Sequence, residues 1–174
     1  NNRLSLIIAE TFKQYLSVFE EKKLMKQKNT FGNFSFINEV FQRCYLNDKD
    51  TERYFKTLIN SQNDADYSRY TFFLISYLIE NDNYDKAKKV TNNFDYLNSS
   101  VLISQGKKWI EDKNLDNFQD FFSCANSNDI VSELFFLIAN LYSSQNDYEK
   151  SNFYLNVANY LNPKFIFNLS LLAE

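Results

Sequence analysis

The sequence predicts an all-α fold in which antiparallel helix pairs stack side by side as a solenoid. Three observations predict it. Apolar residues recur at spacings of three and four along most of the chain, the period of a helix with one buried face. Only 2 Gly and 1 Pro occur in 174 residues, too little punctuation for a set of β-hairpins. Finally, Phe72-Phe73-Leu74-Ile75-Ser76 returns as Phe135-Phe136-Leu137-Ile138-Ala139. Each copy leads through a polar turn to a matching start, Tyr84-Asp85-Lys86-Ala87 or Tyr148-Glu149-Lys150-Ser151. Copies about two ~34-residue units apart mark stacked helix pairs, the alternative being an ordinary helical bundle whose apolar stripes recur.

The first element spans residues 3 to 28, where Leu4, Ile7, Ile8, Phe12, Tyr15, Leu16 and Phe19 make an apolar stripe. Asn29 to Asn33 break it, and Ser35 is placed to cap the next helix, which carries Phe36, Ile37, Val40, Phe41, Cys44 and Tyr45. Asn47 to Asp50 turn the chain, and Tyr54, Phe55, Leu58 and Ile59 bring it back. Beyond a polar connector, the pattern predicts helices over 66–80, 84–97, 99–112, 115–125, 129–145 and 147–161. Connections this short force antiparallel neighbours. The chain therefore divides into an N-terminal helix and connector (1–34), or a degenerate repeat, and an array over 35–174. Within the array the units are 35–67 (degenerate), 68–98, 99–131, 132–165 and a truncated 166–174.

At the strongest unit the chain resembles the tetratricopeptide repeat, whose 34-residue pattern runs W-x2-L-G-x2-Y…A-x3-F…P. Phe135, Ile138, Ala139 and Tyr142 take the first four slots, and Ser151, Leu155 and Pro163 the last three. Tyr148 and Ala158 fill auxiliary slots. The unit before it offers Leu102, Gly106 and Trp109, then Phe118, Phe122 and Ala125; the unit from Arg69 offers Phe72, Ile75, Ser76 and Ala87. Gly106 costs roughly 1 kcal/mol against Ala inside a helix, so close packing is expected there. Phe118 stands where the family has a small residue, which predicts helices pushed apart. The resemblance implies a right-handed superhelix whose first helices line a concave groove for a partner peptide.

Composition bears on function mostly by exclusion. A net charge of −3 and a pI near 5.1 oppose nucleic-acid binding, which needs a basic stripe. They also oppose the basic, RNA-binding pentatricopeptide repeats. No stretch approaches the ~18 apolar residues of a membrane span. The chain has no His, the commonest general base and metal ligand. Cys44 and Cys124 are isolated in apolar helical patterns, which predicts two buried core thiols. Gly32 and Gly106 are too far apart for a phosphate loop. The reading is therefore not an enzyme, with no cofactor and no metal.

For the groove that the resemblance implies, the lining residues are Glu133, Phe136, Asn140, Ser143 and Ser144 in the best unit. Ser100, Ile103, Lys107 and Ile110 line it in the unit before, and Arg43 joins from the degenerate one. The family's carboxylate clamp needs Lys where Phe136 stands, although Asn140 matches its Asn. A groove of this mixed character suits an apolar peptide or helix. The expected function is a protein-interaction scaffold, with two alternatives: an accessory repeat region of a larger enzyme such as a glycosyltransferase, and a self-assembling structural module. Leu169 and Leu172 start a first helix without its partner, which predicts a piece of a longer protein or a homodimer through that helix. The location expected is cytoplasmic rather than exported.

Overall fold

A computed structural model describes residues 2–24, 33–60, 68–92 and 101–166. The described residues are helical, with no strand: α1 (Asn2–Glu21), α2 (Asn33–Tyr45), α3 (Thr51–Asn60), α4 (Ser68–Glu80), α5 (Tyr84–Asn92), α6 (Val101–Glu111), α7 (Asp116–Phe121), α8 (Ser127–Ser143) and α9 (Tyr148–Leu161). Leu169 and Leu172, on which the truncation and dimer expectations rest, lie outside them.

Four turns join these helices into hairpins, and all four are built the same way. After α2, α4, α6 and α8 a residue takes the left-handed conformation: Asn47, Asp82, Lys113 and Asn146, with φ of 49°, 58°, 59° and 58°. The N–H of that residue bonds back three residues, to Cys44, Ile79, Ile110 or Ser143. The following N–H, of Asp48, Asn83, Asn114 or Asp147, bonds back five, to Arg43, Leu78, Trp109 or Tyr142. This is the Schellman closure, which satisfies the carbonyls orphaned at a helix end. In a chain this poor in glycine, Asn and Asp take most of the left-handed positions because their short polar side chains tolerate them. Asp147 then caps α9 by accepting the Lys150 N–H. The turns recur at intervals close to one ~34-residue unit.

Small residues sit where the helices meet. Ala87, Ala139 and Ala158 are fully buried, and Ser151 nearly so. The Ser132 hydroxyl donates to the Ala158 carbonyl at 2.8 Å, binding α8 to α9. A β-carbon on Gly106 would lie 3.2 Å from the Phe118 ring. The large residue at 118 and the missing side chain at 106 thus compensate one another.

The core is aromatic. Phe73 and Phe122 lie 4.0 Å apart between ring centres, with Phe41 edge-on to both. α4 is at the middle, packed by α3, α5, α6 and α7, so both of its faces are buried. The copy of its motif on α8 differs. Phe72 is fully buried, whereas Phe135 is only half-buried between Phe12 and Tyr154. Counted back from the turn, Phe135 also falls one position earlier than Phe72, because the extra residue of the last unit precedes its left-handed residue.

Two boundaries depart from the sequence pattern. α1 stops at Glu21, with Lys22 left-handed, where the pattern continued to 28. The expected end of α5 at 97 lies outside the described residues. α7 is a short helix ended by extended Phe122 (φ −161°, ψ 127°), which carries that ring into the core. The hairpins α2–α3, α4–α5 and α6–α7 follow one another in space, α3 against α4 and α5 against α6. The last described hairpin returns to the first, where α8 packs on α2.

Candidate functional site

α8 carries half of the expected groove, and its first residue is not at a surface. Glu133 is 2% exposed and accepts from the Arg69 Nε at 2.8 and 3.0 Å, with Arg69 Nη2 closing the pair. The guanidinium lies 3.8 Å above the Phe136 ring and 4.5 Å from Phe165. Burial pushes the Glu133 carboxyl up while Arg69 pulls it back. Nearby, the buried Tyr15 hydroxyl donates to Asn38 Oδ1 at 3.0 Å. Burial, and secondarily the Glu133 charge, push its phenol far above the ordinary tyrosine range. This polar knot joins α1, α2, α4 and α8 and does not face solvent.

Farther along α8, Phe136, Asn140 and Ser143 are half-exposed and Ser144 is exposed. The Asn140 amide donates to the Phe136 carbonyl and the Ser144 hydroxyl to the Leu141 carbonyl. On α6, Ile103 and Ile110 are buried and Lys107 is half-exposed; Ser100 lies outside the described residues. Arg43 is engaged on its own hairpin by Glu39 at 2.8 Å, Asp48 at 2.7 Å and the face of Tyr54 at 3.9 Å. Those bonds hold its guanidinium above the usual range despite partial burial. Of the named groove residues, then, Ile103, Ile110 and Glu133 belong to the interior.

An open hollow of about 610 Å³ lies elsewhere, on the outer face of the first hairpin. Lys49, Glu52, Arg53, Lys56, Thr57 and Asn60 line it. Lys49 sits in the turn before α3, and Arg53, Lys56 and Asn60 follow on α3 at spacings of three and four; Arg53 is itself paired with Asp50 at 3.3 Å. The only lining carboxylate, Glu52, is occupied: Lys56 reaches it at 2.6 Å and Lys86, from α5, at 2.7 Å. Those two ammonium groups hold Glu52 below the usual carboxylate range. The sequence contained this signal in its spacing, but it was masked by the chain's acidic total.

The cysteines depart from expectation. Cys44 and Cys124 form a disulfide rather than two separate buried thiols; nothing in their spacing along the chain announced the pairing. Among the described residues no cluster of three or more His, Cys, Asp or Glu is arranged to hold a metal ion, and no helix is long and apolar enough to cross a membrane. Compared with protein-family models, with curated proteins and with solved structures, the chain shows no significant match.

Proposed function

We propose that this chain is a protein-interaction scaffold, a row of tetratricopeptide-like helix pairs, and that it takes an acidic stretch of its partner along α3. The recurring Schellman turns at unit-length intervals support the repeat reading. The observation that carries the docking surface is the excess of cations at the hollow, Lys49, Arg53 and Lys56 against Glu52, with Lys86 sharing Glu52 and Asp50 reaching Arg53. Such an excess steers an oppositely charged segment into register more than it adds affinity. The earlier groove is the weaker surface, since part of its lining is core.

A self-assembling module is the second reading, favoured by α9. Phe153 and Tyr160 are exposed one above the other on a stretch, 151–163, that has no charged residue.

Fluorescence anisotropy with a labelled Asp/Glu-rich peptide tests the proposal, with a Lys/Arg-rich peptide as control. Lys49→Glu with Arg53→Glu is expected to weaken acidic-peptide binding at least tenfold, about 1.4 kcal/mol, and added salt to weaken it further. Phe136→Ala with Lys107→Glu, on the competing groove, is expected to leave it within twofold. The reverse pattern moves the partner to α8. Equal binding of single-stranded DNA makes the hollow a general polyanion surface and defeats the peptide reading.

A further inference from the structure

The Cys44–Cys124 bond spans 80 residues of sequence. Cys44 lies in the last turn of α2, and Cys124 in the connector between α7 and α8. Their Cα atoms are 5.2 Å apart, within the range a disulfide bridges. Both residues are buried. The connector is aimed from two sides. Glu80, at the end of α4, accepts from the Ser123 hydroxyl at 2.6 Å and the Cys124 N–H at 3.1 Å. Asp129, in the first turn of α8, accepts the Ser123 N–H at 2.9 Å. Three helix ends therefore present one sulfur to the other.

The position of the bond matters for the architecture. A row of helix pairs held only by neighbours is open, and its last unit meets the first nowhere. Here α8 packs on α2, and the covalent link lies beside that contact. We infer that the disulfide is the clasp that closes the row, and that this protein reaches its working form where thiols are oxidised. Structural disulfides persist in such compartments and are rare where thiols are kept reduced. The expectation of a cytoplasmic location gives way accordingly.

The chemistry balances with a disulfide-class oxidant, glutathione disulfide or a protein disulfide carrier. One cysteine thiolate attacks the oxidant and releases one thiolate, leaving a mixed disulfide. The second cysteine attacks that and releases the other. The two protons lost by Cys44 and Cys124 end on the two released thiols, and the two electrons go with them. With both sulfurs buried, the reverse reaction needs the connector to open first. The clasp is therefore structural rather than a fast switch.

Thiol counting and hydrogen exchange test this on the whole chain. Protein folded with glutathione disulfide is expected to offer no alkylatable thiol and to weigh two hydrogens less than the reduced chain. Protein kept reduced, or carrying Cys44→Ser with Cys124→Ser, is expected to exchange the amides of α8 and α9 at least tenfold faster, with α4 and α5 changing less. The reduced wild type makes the comparison without any substitution, so loss of fold in the variant does not blunt it. Two reactive thiols after folding with the oxidant overturn the clasp. So does exchange in α8 and α9 within twofold between the two states, or an equal loss of protection in every helix.

Discussion

Phe72 and Phe135 show how one residue type in one repeated motif acquires two values. Phe72 meets rings on three sides, Phe118 at 5.4 Å, Phe165 at 6.1 Å and Trp109 at 6.2 Å. Phe135 rests on a helix with an open side. Phe72→Ala is therefore expected to cost about 3–5 kcal/mol and Phe135→Ala roughly half of that, read as urea midpoints at constant slope. Equal costs would mean that α8 is as enclosed as α4. Asp129 makes a different kind of prediction. Burial first, and the Glu80 charge after it, push its carboxyl up to about 6, against about 3.9 when unfolded. Between those values the folded state holds a proton that the unfolded chain has lost. This group's contribution is therefore full below about pH 4 and declines as pH rises through 6. Asp129→Asn keeps an acceptor for the Ser123 N–H without the charge. It is expected to match the wild type near pH 4 and to gain up to about 2 kcal/mol at pH 7. A gain that is the same at both values would refute the titration.

Helix ends carry the repetition at the next scale, and one of the four turns departs from the others chemically. Asn47, Asp82 and Asn146 suit the left-handed conformation, while Lys113 has no short polar group to bond locally. Lys113→Gly removes the β-carbon conflict, partly offset by glycine's larger entropy in the unfolded chain. The expected gain is about 0.5–1 kcal/mol, whereas Asn47→Gly should stay within about 0.5 kcal/mol of zero; thermal midpoints of the two variants decide. These turns were legible in the sequence as polar breaks, because Asn and Asp clusters between apolar runs have few other uses. What the letters did not show was the shared hydrogen-bond closure. Helix lengths were less legible. The pattern carried α1 to 28 and α7 to 125, but Lys22 closes the one and extended Phe122 ends the other. Periodicity records which face is apolar, not where the chain leaves the helix to bring a ring inward.

For the whole molecule, the apolar pattern gave the helix pairs and most of the core, including Val40, Phe41, Phe55, Leu58 and Ile75. The resemblance, through the slots of the repeat's first helix, placed Glu133 on a groove, where a carboxylate would face water. Only its partner, Arg69, reverses that, and the two are far apart in sequence. The pairing of Cys44 with Cys124 was hidden for the same reason, being a relation between positions that only the packed helices bring together. Contact of α8 with α2 is of this kind too, since self-similarity at a fixed period describes neighbours and is silent on closure.

That closure imposes an order on synthesis. Cys44 leaves the ribosome before its partner exists, with 80 residues still to come; at about 5–20 residues per second the interval is about 4–16 s. During it α2 and α3 can form their hairpin locally and sequester the sulfur beside Phe41, ahead of any foreign thiol. A chain stalled before Cys124 would hold a half-built stack with one unpaired thiol, the form a quality-control disulfide carrier would engage first.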